Sequence, residues 1–162
     1  MENNEIELSN YPLTENADRD HRTLAPVRQS LVDVGYYAYE TIDEQNRWSV
    51  AVDDETGRVD VHIGRDGLEI VLWASSPGLY ADEENEWRRH SRSRLVRMSL
   101  PAINRGLLEP HQRAVWDETE QGIAVTETYE LPFTRSEDVG TFVREHLPQL
   151  EDILVMIERQ LG

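Results

Sequence analysis

The residues best suited to chemistry are five arginines that lie close together near the middle of the chain: Arg88, Arg89, Arg92, Arg94 and Arg97. A guanidinium group binds a carboxylate or a phosphate through two parallel hydrogen bonds. The cluster could therefore hold an acidic segment of another protein or the phosphate of a nucleotide. The alternative is a solvated helix with internal ion pairs, because Glu84 precedes Arg88 by one helical turn and such a pair contributes only about 0.2–0.5 kcal/mol. The sequence leaves both interpretations open.

Groups that could catalyse a reaction or bind a metal do not form a recognisable motif. The five histidines are scattered, and neither a phosphate-binding glycine loop nor a Gly-x-Ser-x-Gly or His-Glu-x-x-His motif occurs. Asp60 and His62 share one face of a predicted strand, but two ligands are too few for a metal site. The chain has no cysteine, which excludes thiolate ligands and disulfides. We expect no catalytic residues, no metal, no cofactor and no enzymatic activity.

Charge is the strongest compositional signal. The chain has 32 acidic and 16 basic residues, a formal net charge of −16, and all of its basic residues are arginines. In molar salt the screening length falls to about 3 Å, so the mutual repulsion of many carboxylates becomes tolerable. We therefore expect a salt-adapted, halophilic protein, since a GC-rich genome would explain the arginines but not the acid excess. Such a surface also disfavours nucleic acid and anionic membranes as partners.

The hydropathy profile predicts location and domain organisation. The first five residues carry no positive charge and no apolar run follows them, so we expect no secretory signal. No apolar stretch approaches the ~18 residues of a membrane span. We expect a cytoplasmic protein with a poorly ordered acidic arm over residues 1–20 and a single domain over residues 21–162.

Apolar periodicity predicts a helix and then a meander of strands. Residues 23–34 have helical periodicity between an N-cap at Thr23 and a C-terminal glycine at Gly35, with Pro26 in the first turn. The period then changes to two, and short turns separate three strands over residues 48–73, with a further strand start at 36–39. The last of these strands has apolar residues on both faces, which predicts a central strand covered on both sides.

The second half of the chain predicts a helix, a hairpin and a final long helix. The helix over residues 84–103 should direct Trp87, Leu95 and Met98 inward, together with Val96, and should end or bend at Pro101. After the hairpin over residues 113–131, the last helix should start near Arg135 and bend at Pro148. The element order α-β-β-β-α-β-β-α, with short links, predicts an α+β fold in which helices pack on an antiparallel sheet.

The last helix carries a heptad seam, which could be an internal packing face or a dimer contact. Its members follow each other at alternating spacings of four and three residues. Additional apolar residues widen the seam beyond one stripe, so one side could cover the sheet while another side meets a second subunit. We therefore assign dimerisation to Val143, Leu147, Leu150, Leu154 and Ile157.

The element order resembles that of the type III secretion chaperone-like fold and, within it, the YbjN-like family. The local similarities are the helix end at Gly35-Tyr36, the Asn104-Arg105-Gly106 segment, and the Glu130-Leu131-Pro132 end of the second hairpin. The resemblance covers roughly residues 22–161 and implies a homodimer with protein-binding or regulatory roles and no cofactor. Secretion chaperones accept extended peptides at sheet edges. For such a client the residues to consider here are Tyr36, Tyr39, Trp48 and Trp73. The alternative is that each of them simply packs in the core or on a face of the sheet.

These observations favour a non-enzymatic, chaperone-like or regulatory protein that holds a peptide or protein partner, acting as a homodimer. The arginine cluster supports an alternative in which the chain is a binder of an anion or a nucleotide phosphate, or an enzyme that uses the cluster for this purpose.

Overall fold

The first helix starts earlier than the periodicity predicts. In the computed structural model, which describes residues 14–55, 57–76 and 85–161, helix α1 spans Thr14–Asp33. The predicted start at Thr23 is wrong, because the first turns of the helix are polar and give no periodic signal. Pro26 consequently lies inside the helix and not in its first turn. Residues 14–20 of the predicted arm are therefore helical, and the rest of that arm lies outside the described residues. Gly35, at a φ of 101°, ends the helix as predicted, since only glycine adopts this conformation readily.

A four-stranded antiparallel meander follows α1. Its strands are β1 (Ala38–Ile42), β2 (Trp48–Asp53), β3 (Arg58–Ile63) and β4 (Leu68–Ser76). The register places Val61 opposite both Val50 and Ile70, so one apolar row crosses three strands on the same face. This face is buried. The meander has one strand more than the predicted order of three, because the segment that opens at Tyr36 continues into β1.

The second half of the chain completes the sheet. Helix α2 (Glu86–Gly106) leads to strands β5 (Gln112–Asp117) and β6 (Gly122–Leu131). The six strands lie in the order β1-β2-β3-β4-β6-β5, and every neighbouring pair is antiparallel. The predicted α+β class is therefore confirmed. Pro101 does not end α2, which continues to Gly106.

The predicted last helix is divided into shorter pieces. A 3-10 helix (Phe133–Asp138) comes first, then α3 (Val139–His146) and α4 (Gln149–Leu161). The break before Gln149 confirms the predicted bend at Pro148, because proline cannot continue the hydrogen-bonded ladder of the preceding turns. The start near Arg135 was wrong, since this residue has non-helical backbone angles within the 3-10 segment.

This C-terminal part is joined to α1 by one close contact. The Ser30 hydroxyl donates a hydrogen bond to the Glu137 carbonyl at 2.6 Å and accepts one from the Gly140 N–H at 2.8 Å. Gly140 has no Cβ, and a Cβ there would lie against the Ser30 backbone. The two helices can therefore approach at this point only because residue 140 is glycine.

The buried core lies between the sheet and the helices, on one face of the sheet. The core contains Leu31 of α1, Leu72 of β4 and Leu150 of α4, among others. β4 occupies a central position, as predicted, between β3 and β6. For the described residues, the prediction that both faces of β4 are covered was wrong. The described helices pack on the face that forms this core, whereas Val71 and Trp73 point to the opposite, partly exposed face. That second face remains a groove.

Candidate functional site

The candidate site is built on α2, whose sequence supports a helix with a defined start. The Asn85 side chain caps the helix by accepting a hydrogen bond from the Arg88 N–H at 3.1 Å. Val96, Leu100 and Ile103, at helical spacing, are the buried face against the core. α2 therefore has one fixed orientation on the sheet, and its opposite side is directed to solvent.

The solvent side of α2 is apolar. Trp87, Leu95 and Met98 are 76%, 62% and 69% exposed. The prediction that these three residues face inward was wrong, because the helix carries two apolar stripes and the sheet can cover only one. Val96, with the two buried residues that follow it, takes the inner position. The sequence pattern did not show which stripe the sheet would select.

The predicted arginine residues do not converge on one point. Arg88 and Arg92 lie one turn apart and flank the exposed apolar stripe on one side, in phase with Leu95. Arg94 lies on the other side, one turn before Met98, and both residues are exposed. The five arginines therefore cannot all grip one phosphate, since bidentate recognition requires converging groups and only Arg88 and Arg92 are neighbours on one side. The arrangement favours a broad basic surface over an anion clamp.

Arg97 and Arg89 make side-chain contacts within the chain. The guanidinium of Arg97 lies over the Trp116 ring, 4.8 Å from its centroid, and 3.8 Å from the Glu118 carboxylate. This cation–π contact helps to attach α2 to β5. Arg89 lies 4.0 Å from Glu86 on the same helix. Arg97 therefore belongs to the scaffold of the site.

The predicted aromatic residues lie in different places. Trp48 packs against the core and its ring lies 4.3 Å from that of His21. Tyr36 is also packed against the core, where burial raises its pKa above the usual value and the nearby Asp54 carboxylate raises it further. Trp73 lies on the opposite face of the sheet. The structure thus does not bring these three residues together into one peptide site.

Side chains from two helices form hydrogen bonds with backbone groups at both edges of the sheet. Arg28 Nε donates to the Ala38 carbonyl of β1 at 3.0 Å. Asn104 bonds both backbone groups of Ala114 on β5, accepting from its N–H at 2.7 Å and donating to its carbonyl at 2.9 Å. A client strand added at either position would have to displace these bonds. The exposed face of α2 requires no such rearrangement.

The residues assigned to dimerisation are part of the core. They lie on α3, at its C-terminal end and on α4, and their relative exposure is 5% or less. The assignment is corrected accordingly: side chains that contact the sheet of their own chain cannot also form a subunit contact. The buried residues are Val143, Leu147, Leu150, Leu154 and Ile157.

The face of the sheet that none of the described helices covers forms a groove of about 1040 Å³. Tyr39 and Trp73 are aromatic residues of its lining, and Asp60 belongs to β3, one of the two strands between them. Burial is the main cause that raises the pKa of Asp60, and the nearby Arg58 opposes this shift. Asp60 and His62, which the sequence places on one strand face, both line this groove. We call this feature the open-face groove.

A polar cluster around Glu127 was missed by the sequence analysis. Glu127 is 3% exposed, and its Oε2 accepts hydrogen bonds from the Tyr129 hydroxyl at 2.8 Å and from Gln112 Nε2 at 3.0 Å. His111 Nε2 lies 3.3 Å from the same oxygen. The sequence did contain a signal for this cluster, because Glu127 lies on the same inner face of β6 as Ile123, Val125 and Leu131 in the two-residue alternation of the strand. A carboxylate in this phase has to find donors inside the protein.

Within the described ranges, no group of three or more histidine, aspartate or glutamate side chains is placed to hold a metal ion. In the same part of the chain, no helix combines the length and the hydropathy that a bilayer span requires.

Comparison with known proteins gives similarity to solved structures only. No family model and no curated protein matches the chain. It is similar to the crystal structure of YbjN from E. coli, a proposed transcription regulator, with 17% identity, a TM-score of 0.42, and coverage of 83% of this chain and 87% of that chain. It is also similar to an uncharacterized protein from Methanothermobacter thermautotrophicus, with 18% identity, a TM-score of 0.41, and coverage of 86% and 99%. YbjN, whose family the sequence resembles, is thus a structural neighbour at low identity, and family membership stays a prediction.

Proposed function

We propose that this chain is a non-enzymatic protein-binding protein that holds its partner on the exposed side of α2. We name this surface the docking face and define it by Trp87, Arg94, Leu95 and Met98, with Arg88 and Arg92 on its flank. The observation that carries the proposal is the exposure of Trp87, Leu95 and Met98 on a helix whose other face is firmly packed. Large apolar side chains grouped on one surface mark interaction sites. No cofactor takes part.

The size of the apolar stripe indicates a transient complex. Complete burial of one large apolar side chain contributes about 1.5–3 kcal/mol. Association costs at least about 4 kcal/mol in lost translational and rotational freedom. Three such side chains contribute about 4.5–9 kcal/mol, which is of the same order as this cost, so binding of regulatory rather than permanent strength is expected. Trp87 and the arginines are residue types that concentrate binding energy at interfaces.

The charge of α2 supports a particular chemistry for the partner. The helix carries six arginines and one glutamate, a net charge of +5, within a chain of net charge −16. A second α2 packed symmetrically on the first would bring arginines of equal charge together, which is unfavourable. A partner segment with apolar and acidic side chains satisfies both the stripe and its flanks. We therefore propose an acidic amphipathic segment of a different protein as the occupant.

The test uses a synthetic helical peptide with leucine on one face and glutamate on the other. Trp87 emission should shift to shorter wavelength as the peptide covers the ring, and Leu95→Asp with Met98→Asp should abolish the shift. The matched control is Val155→Asp with Met156→Asp, which alters two partly exposed apolar residues on α4. Equal binding by the two double variants, or no binding by the wild type, would remove the docking face from consideration.

The homodimer expected from the sequence requires a different surface from the one first assigned. Val155 and Met156 are 40% and 37% exposed on α4 and remain available. We retain a homodimer as a proposal, and sedimentation equilibrium over a range of protein concentrations and salt tests it. A single monomer mass throughout would remove it without affecting the docking face.

A further inference from the structure

The open-face groove lies on the opposite side of the sheet from the helix-covered core and has its own chemistry. Its lining comes from strands β1 to β4 and the turns that join them, with a contribution from the β5–β6 turn. Tyr39 and Trp73 supply aromatic rings, and Val71 adds an apolar side chain. The Tyr39 hydroxyl donates a hydrogen bond to Asp53 Oδ2 at 2.7 Å, which fixes the ring at the side of the groove.

The ionisable groups of the groove are mainly hydrogen-bond acceptors. Eight carboxylates and two arginines line it, which leaves a formal excess of six negative charges. The two arginines are already engaged: Arg47 Nε donates to Asp43 Oδ2 at 2.9 Å, and Arg58 Nε lies 3.4 Å from Asp60. The remaining carboxylates therefore favour a ligand that brings both positive charge and N–H donors.

Two buried polar atoms add an observation that does not depend on charge. Ser49 and His62 are opposite each other in the sheet and are 0% and 4% exposed, and His62 lines the groove. Within the described structure, His62 Nε2 and Ser49 Oγ make no hydrogen bond; the nearest carboxylate oxygen to His62 Nε2 belongs to Glu69, at 3.2 Å. Burial, aided by Arg47, lowers the pKa of His62. Glu69 opposes this shift. The lowered pKa favours the neutral ring, in which one nitrogen can accept a hydrogen bond.

Aromatic rings beside carboxylates are a common arrangement for holding an organic cation. A guanidinium or ammonium group gains from the face of a tryptophan or tyrosine ring while its N–H groups reach carboxylates. Tyr39 and Trp73 belong to β1 and β4, so the aromatic positions are separated by the width of two intervening strands. Neighbouring strands are about 4.8 Å apart, which gives a separation of roughly 14 Å between the two outer strands. This distance suits several cationic side chains more than one small molecule.

We propose that the open-face groove binds a basic, arginine-bearing segment of another polypeptide. Small-molecule sites are concave and bury most of their ligand. This groove extends over four strands of an uncovered sheet face, which suits an extended chain whose side chains alternate between the groove and solvent. The site lies on β1–β4 and is separate from the docking face, so either surface can fail experimentally without affecting the other.

The test measures anisotropy of a labelled nonapeptide that alternates arginine with alanine, and of a matched peptide with glutamine in place of arginine. The groove variant is Glu44→Gln with Asp54→Asn, two lining carboxylates that are not the partners given above for Tyr39, Arg47 and Arg58. The control is Glu137→Gln with Glu145→Gln, which removes two negative charges from exposed positions on the helix side. We expect the wild type to bind only the arginine peptide. The groove variant should lose roughly tenfold in affinity because two charge-assisted contacts are removed, and the control should lose less than about twofold.

Several results would overturn the proposal. No binding by the wild type, equal binding of the glutamine peptide, or an equal loss in both double variants would each do so, the last by showing an effect of net charge alone. Competition by spermine at the same concentration as the peptide would show that the groove holds a small polycation instead. If the groove variant melts below the wild type, Trp73→Leu provides a second measurement, because it leaves every charge in place. A wild-type affinity in that variant would equally overturn the proposal.

Discussion

Replacing Tyr129 with phenylalanine isolates one hydrogen bond of the Glu127 cluster. The hydroxyl donates to Glu127 Oε2, and the ring contacts Phe142 edge-on at a centroid distance of 4.9 Å. Tyr129→Phe keeps the ring contact and removes only the donor. A hydrogen bond to a charged group contributes about 1.5–3 kcal/mol. We expect the free energy of unfolding at neutral pH to fall by about this amount, measured by urea denaturation at constant salt.

The same variant has a distinctive effect at high pH. Burial is the main cause that raises the pKa of Tyr129 well above its usual value, and the bond to Glu127 adds to it. The native state therefore keeps this proton at pH values where the unfolded chain, with a tyrosine pKa of about 10, has lost it. The unfolded state then binds fewer protons than the native state, so stability falls as pH rises above about 10. Below that pH the contribution of this proton is fully present.

The composition makes this effect unusually easy to observe. The chain has neither lysine nor cysteine, so tyrosines are the side chains that titrate between about pH 9 and 12. One tyrosine that stays protonated in the native state contributes a slope of about 1.4 kcal/mol per pH unit. Tyr129→Phe should remove about that much of the alkaline slope. Tyr36 and Tyr39, whose pKa values are also raised by burial and by a hydrogen bond to Asp53 respectively, contribute to the slope that remains.

The control for this experiment is Tyr37→Phe, because Tyr37 is 81% exposed. It should change neither the urea midpoint nor the alkaline slope by a measurable amount. The reasoning is refuted if Tyr129→Phe unfolds within about 0.5 kcal/mol of the wild type and has the same alkaline slope, since the hydroxyl would then contribute no more than a solvated one.

Two further predictions concern backbone packing and salt. Gly140→Ala should destabilise the fold by about 1–3 kcal/mol or more, because the new Cβ would lie 2.7 Å from the Ser30 carbonyl carbon. The matched variant is Gly106→Ala, whose Cβ would meet nothing within 4 Å. It should be neutral or stabilising by up to about 1 kcal/mol. Thermal melts of both variants check this pair, and equal melting temperatures would contradict it. The urea midpoint of the wild type should rise between dilute buffer and about 1 M salt as carboxylate repulsion is screened; a flat or falling midpoint would contradict the halophilic interpretation.

The sequence predicted those parts of the fold that depend on residues close together in the chain. Period-two alternation at Val50, Val61 and Ile70 identified the strands, and short turns between them required antiparallel neighbours. Gly35 and Pro148 marked a helix end and a bend because their backbone restrictions act within a few residues. The start of α1 was missed for the same reason: its first turns have no apolar periodicity.

The candidate sites were less predictable, because periodicity shows that a stripe exists but not which surface will cover it. α2 has two apolar stripes, and the heptad residues of α3 and α4 fit an internal face as well as a subunit contact. In the folded chain the heptad residues cover the sheet, while Trp87, Leu95 and Met98 remain exposed. The outcome depends on the total apolar area that one sheet face can bury.

The sequence alone determined the alternation of strand and helix, the α+β class, the position of the basic segment and the unusual charge, since each depends on residue type and near spacing. The tertiary structure decided which of the two apolar stripes of α2 stayed exposed, that the second sheet face forms a groove, and that Glu127 acquired buried donors. These features depend on contacts between residues distant in sequence. Which of these contacts form depends on which apolar surfaces the single core has room to bury.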